Sequence, residues 1–204
     1  MRGSDWPLPG AVRASHLGSQ DASGTKEKRS GEGALRRYTP GTMTTAPAHL
    51  YTFGYEGLDI DAFVARVRAA GIKTILDVRE LPLSRKKGFS KSSFSAALTQ
   101  AGVAYLHAPA LGCPRDIRDR YKADGNWRAY TKAFLAYIDT QVAATRELVK
   151  LSKATSVCLV CFEADYTMCH RTYVARAARK HGGLPVFHLT TRTAFPDSDL
   201  RAVA

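Results

Sequence analysis

From residue 50 onward the chain alternates two hydrophobic rhythms, short apolar runs and longer stretches with helical spacing. Leu50-Tyr51-Thr52-Phe53-Gly54 reads as a strand. Asp59 is a good N-cap for a helix that turns Phe63, Val64 and Val67 inward, and Gly71 closes it. Thr74-Ile75-Leu76-Asp77-Val78 is a second strand. Ser90 or Ser92 starts a short helix through Phe94 and Leu98, ended by Gly102, and Val103 to His107 forms a third strand. Pro109 to Gly125 reads as a long loop. Trp127, Tyr130, Phe134 and Ile138, then Val142, Leu148 and Leu151, mark two helices before about residue 153. Val157-Cys158-Leu159-Val160 is wholly apolar, as a strand buried on both faces requires. Cys161 ends that strand and, by the period of two, points away from Cys158 and Val160. Helical spacing resumes at Tyr173 to Ala178, and Pro185 to Leu189 is a fifth strand.

Strands alternating with helices imply right-handed crossovers and a sheet covered on both faces. The expected fold is therefore a single α/β domain over 47–204. It has a mostly parallel five-stranded sheet with helices on both faces, a Rossmann-like three-layer arrangement. Residues 1–46 are rich in Gly, Ser, Thr, Arg and Lys without apolar period, and are expected to be a disordered basic extension. Met43 has the form of a natural start just ahead of the first strand, which makes the upstream stretch an over-extended start. The competing reading is a basic arm that touches nucleic acid.

Composition narrows the function classes. The 204 residues hold no apolar run long enough to span a bilayer, so no membrane partner is expected. The N-terminus lacks the apolar stretch of a signal peptide, which predicts a cytoplasmic protein. Net charge is +12, with seven basic against four acidic residues in 1–46 and 23 against 14 in the remainder. The excess thus belongs mainly to the folded part and favours an anionic small molecule or nucleic acid as partner.

In a parallel sheet, ligands bind outside the carboxyl ends of the strands. The loops leaving those ends carry Tyr55 and Glu56, then Arg79 and Arg85 with Lys86 and Lys87, then His107, then the run from Cys161 to Arg171. Helix N-termini attract anions and stabilise thiolates. With Thr167 as N-cap, Cys169 stands at the second helical position and His170 at the third. Cys169 is therefore the candidate nucleophile, and Glu163, His170 and Glu56 are candidates to move protons. Tyr55, Arg79, Arg85, His107, Cys161 and Arg171 are candidates for the anion and substrate. Cys158 is read as packing and Cys113, in a loop, as incidental. Seven residues separate Cys161 from Cys169, unlike the short paired spacing of structural zinc sites, so no metal is expected. A non-catalytic nucleotide or nucleic-acid module and a structural thiol or metal site remain the alternatives to an enzyme. No cofactor or oligomeric state follows from these residues.

Phe53-Gly54-Tyr55-Glu56-Gly57-Leu58, Asp77 to Arg85 with Gly88-Phe89-Ser90, Cys161-Phe162-Glu163 and Cys169-His170-Arg171 together resemble domain-of-unknown-function family 488, over about residues 50–190. The resemblance implies a compact α/β domain and assigns no activity. A second likeness, of Leu76 to Glu80 to the early strand of rhodanese-like sulfurtransferases, is set back by arginine spacing. Arg171 stands two residues after Cys169 and ten after Cys161, which makes sulfur transfer a minority reading.

Overall fold

The computed structural model describes residues 49–198. The expected disordered extension and the suggested start at Met43 lie outside these residues. The elements are β1 (Leu50–Gly54), α1 (Ile60–Ala69), β2 (Thr74–Asp77), α2 (Lys91–Gln100) and β3 (Ala104–His107). After a short 3-10 turn at Pro109–Leu111 come α3 (Arg115–Asp124), α4 (Trp127–Thr140), α5 (Val142–Ala154) and β4 (Val157–Cys161). The last are α6 (His170–Gly182), β5 (Val186–Leu189) and β6 (Ala194–Pro196).

The sheet order is β3-β2-β4-β1-β5-β6. β1 pairs in parallel with β4, Leu50 opposite Val157 and Gly54 opposite Cys161, and on its other side with β5. β2 pairs in parallel with both β3 and β4. The chain leaves β1 over β4 in one direction and leaves β4 over β1 in the other. Its order thus reverses at β1 and β4, where a doubly wound sheet opens its crevice. The fold is the expected mixed α/β layer structure with a mostly parallel sheet.

The strand pattern sorts the two faces. Phe53, Cys158 and Val160 join Phe63 and Val67 of α1 and Phe94 and Leu98 of α2 in one core cluster. Cys161 is absent from that cluster and lies on the opposite side, as alternation requires. α6 packs against β1, β4 and β5 and is flanked by α4 and α5. Asp59 caps α1 by accepting from the Ala62 N–H at 2.8 Å, and Gly71 takes φ +69° just beyond it.

Two expectations are corrected. The sheet has six strands rather than five, because Ala194–Pro196 adds antiparallel to β5. That segment is short, exposed and contains proline, which only an edge strand tolerates and which leaves no apolar signal. Asp197 pins it, with His188 Nε2 at 3.1 Å and Arg176 Nη2 at 2.8 Å. Within Pro109 to Gly125, expected to be loop, lies the ten-residue helix α3. No residue of α3 is buried, so it carries no apolar stripe to read. Its support is polar: Arg115 Nε donates to Asp119 one turn away at 3.1 Å, and Gly125 ends it in the left-handed region.

Gly54 at the end of β1 has a negative φ and is required by space instead. A Cβ there would meet the Glu163 carbonyl oxygen at 1.8 Å and its carbon at 2.6 Å, both main chain. Gly54→Ala should lower stability by about 1–3 kcal/mol, as overpacking does, read as a shift of the urea midpoint at unchanged slope. An unchanged midpoint would show that the β4–α6 loop does not close onto β1.

Candidate functional site

Pairing between β1 and β4 continues past both strands and carries the loop with it. The Tyr55 N–H donates to the Cys161 carbonyl at 3.3 Å, and the Glu56 N–H to that of Phe162 at 2.8 Å. Glu56 Oε2 in turn accepts from the Ala164 N–H at 2.9 Å. From the other side Arg171 reaches back, its guanidinium donating to the Glu163 carbonyl at 2.5 Å and to that of Ala164 at 3.1 Å. Asp165 folds the middle of the loop, accepting from the Thr167 N–H at 2.8 Å and hydroxyl at 2.7 Å. This turn uses Thr167, so the N-cap of α6 is Cys169, not Thr167, and His170 is the first helical residue. The expected helical placements of Cys169 and His170 move accordingly by two positions.

The loop gathers four reactive side chains. Glu163 Oε2 lies 3.1 Å from Cys161 Sγ and 3.1 Å from Cys169 Sγ. His170 Nδ1 lies 3.6 Å from Cys161 Sγ and 3.9 Å from Cys169 Sγ. His170 Nε2 is 2.9 Å from the Val78 carbonyl oxygen. A carbonyl only accepts, so Nε2 carries the proton, and in the neutral ring the Nδ1 lone pair faces the sulfurs. Both cysteines and His170 are buried, and both thiols are free.

The two thiols diverge. Burial would push Cys169 up, but the hydrogen bond from Cys161, the charge of Arg171 and the neighbouring His170 hold it well below the ordinary thiol value. Cys161, bonded to Cys169, buried and facing Glu163, is pushed well above it. Glu163 is raised by burial and then by Cys169. Burial lowers His170, yet its contact with Cys169 raises it on balance. The two thiols are thus pushed in opposite directions.

These groups floor a cavity of about 440 Å³. Arg79 and Tyr55 also line it. Arg79 is only 7% exposed and spends its fork on neighbours: Nε and Nη2 on Asp77 at 2.8 and 2.5 Å, Nη1 on the Tyr55 hydroxyl at 2.8 Å and the Phe89 carbonyl at 2.9 Å. Burial alone would lower its basicity, but Asp77 more than offsets this and Arg79 stays charged. It is the beam behind the wall, not a free anion grip. Arg85 and Lys122, both exposed, line its mouth. Aromatic rings of Tyr121, Trp127 and Tyr130 form a further wall, Trp127 stacked on Tyr130 at 4.7 Å.

Of the sequence candidates, Tyr55, Arg79, Arg85, Cys161, Glu163, Cys169 and His170 therefore reach one cavity. Three do not line it. Glu56 holds the loop backbone, and His107 Nε2 bonds the Arg79 carbonyl at 2.9 Å. Arg171 is fully enclosed with its terminal nitrogens on carbonyls; a side chain chosen for charge is used as a clamp. Cys113, read as incidental, is 1% exposed and lines the cavity beside Tyr130. Reasoning from sequence missed Asp77 as the partner of Arg79, and it missed the wall built by α3 and the start of α4. Asp77, an acid ending an apolar strand two residues before an arginine, was the available signal.

A family model described as "Domain of unknown function DUF488" matches residues 59–178. No curated protein and no solved structure matches the chain.

Thiol reactivity tests the divergence directly. In chelator-treated native protein, Cys169 should alkylate first, with a pH midpoint below the usual value of about 8.5. Cys113, which burial pushes up to about 11, and Cys158, which burial also raises, should label only at high pH or after denaturation. Peptide mass spectrometry across pH reads this out, and a Cys169 as slow as Cys158 would contradict it.

Proposed function

The chain belongs to the DUF488 family, and on that premise we propose that its cavity is the active site of an enzyme acting on an anionic, phosphate-bearing small molecule. The single observation that carries this reading is the cluster of two thiols, a carboxylate and an imidazole at the cavity floor, Glu163 3.1 Å from each sulfur and His170 3.6 and 3.9 Å from them. Such groups are the ordinary means of nucleophilic and acid–base chemistry. A structural role alone would not set a half-buried carboxylate against two buried thiols at the end of a cavity, where desolvation works against it.

Size and charge support the substrate class. A volume of about 440 Å³ falls in the usual range of about 300–1,000 Å³ for small-molecule sites. Arg118 is paired with Glu80, and Arg79 with Asp77. Lys122 shares Asp119 with Arg115, with its Nζ 3.5 Å from the carboxylate, so Arg85 and part of the Lys122 charge remain as a net basic rim suited to phosphate. The flat walls of Trp127 and Tyr121 suit the body of a nucleotide-like molecule. Cys169 is the reacting thiolate, and Glu163 and His170 exchange protons with it. An enclosed cluster of mutually bonded groups favours an enzyme over a nucleic-acid module, which would present a broad basic face instead.

Inorganic phosphate and nucleoside monophosphates should raise the melting temperature beyond a chloride control of equal ionic strength. The double variant Arg85→Ala, Lys122→Ala should weaken Kd about tenfold, the worth of about one charge-assisted hydrogen bond. An equal response in variant and wild type would overturn the anionic substrate.

A further inference from the structure

We propose that Cys161, Cys169 and His170, with Glu163 beside both sulfurs, form a binding site for a zinc-class divalent ion at the cavity floor. The site gives the reacting centre a cofactor and rests on the active-site reading only for the use made of the ion.

The geometry of the donors comes first. The two sulfurs and a ring nitrogen of His170 all lie within 4.8 Å of one another; Glu163 touches both sulfurs at 3.1 Å but lies outside that group. A tetrahedral ion with bonds of about 2.3 Å to sulfur and about 2.0–2.1 Å to nitrogen sets its donors about 3.5 Å apart along each edge. The two sulfur–nitrogen edges found here, 3.6 and 3.9 Å, are close to that value. Two sulfurs and one imidazole, with a fourth position left for water or substrate, are a donor set that suits zinc.

The orientation of His170 is an independent observation. A ligating histidine characteristically donates its other ring N–H to a carbonyl or carboxylate, which fixes the tautomer and aims the lone pair. Here Nε2–H is held by the Val78 carbonyl at 2.9 Å, and Nδ1 is turned to the sulfurs.

Charge supplies a third. Every member of the cluster offers lone pairs or negative charge, and among the described residues no Lys or Arg side chain is seen bonded to any of them. The nearest candidates are engaged elsewhere, Arg79 on Asp77 and Arg171 on the Glu163 and Ala164 carbonyls. A dication at this point would be held by the sulfurs and the imidazole, and on binding it would displace thiol protons to solvent. The loop need not rearrange, since Gly54, Glu56 and Arg171 already hold its backbone. Glu163, half-exposed and lining the cavity beside both sulfurs, marks the side from which water or substrate would take the fourth position. The seven-residue separation of the cysteines is no obstacle, because pairing of the loop with β1 folds it back on itself.

The test uses the full chain, reduced and stripped with a chelator, then titrated with zinc against a chromophoric competitor and with cobalt(II) under anaerobic conditions. Binding of about one ion per chain is expected. The cobalt form should show thiolate-to-metal charge transfer and the intense visible bands of tetrahedral geometry. Cys161→Ser and Cys169→Ser should each weaken binding on the order of 100-fold and reduce the charge-transfer intensity. Glu163→Gln should shift the visible bands and keep the charge transfer, and Cys158→Ala should change neither. Should the serine variants fail to fold, wild-type protein still decides: zinc must protect Cys161 and Cys169, but not Cys113, from alkylation. Absence of stoichiometric binding, or spectra and protection indifferent to these two cysteines, would overturn the site. The phosphate response is measured on separate variants, so either proposal can fail while the other stands.

Discussion

Arg79 is almost fully enclosed, and its charge is held by Asp77 two residues earlier on the same strand end. Taking two charges out of water is costly, and breaking such a buried pair by removing one partner typically costs about 3–5 kcal/mol. The pair is therefore a constraint on everything that touches it. Tyr55 from the end of β1, Phe89 from the loop before α2 and His107 from the end of β3 bond Arg79, and Tyr105 donates to Asp77 at 2.8 Å. Between the two charged residues, the Val78 carbonyl orients His170 and the Val78 N–H donates to Val160 of β4 at 3.2 Å. Asp77-Val78-Arg79 thus ties the ends of β1, β3 and β4 into one rigid edge, with the imidazole aimed from it.

The β4–α6 loop completes that edge from the other side. Close approach at Gly54, the Glu56 contact and the Arg171 clamp all act on main-chain atoms. The side chains of Cys161, Glu163, Cys169 and His170 are thereby left to face one another. A preorganised cluster of this kind loses little entropy when a ligand or ion arrives. The arrangement also leaves a cost visible. Arg171 Nε is buried without a hydrogen-bond partner, a sacrifice consistent with its other nitrogens holding the loop.

Much of this was legible in the sequence. The apolar runs located five strands, and alternation placed Cys161 opposite Cys158. Listing the loops at carboxyl strand ends brought seven cavity residues together, from Tyr55 to His170, before any coordinates. What escaped has a common cause. α3 is held by surface ion pairs and a glycine cap, and β6 is an exposed three-residue edge, so neither carries a buried stripe. Charge was equally ambiguous: Arg79, Arg85 and Arg171 look alike in a sequence, and only burial separates the two structural arginines from the one at the mouth. Spacing along the chain spoke against a metal, whereas the donors of the proposed site are brought close by the loop doubling back.

The central claim is that Cys161, Cys169 and His170 at the cavity floor act as one preorganised donor set. X-ray absorption fine structure at the zinc edge of the loaded protein tests it most directly. The account predicts a first shell of two sulfurs at about 2.3 Å and two nitrogen or oxygen neighbours at about 2.0–2.1 Å, one carrying the outer-ring scattering of imidazole. A shell of nitrogen and oxygen alone, or a single sulfur, would contradict it.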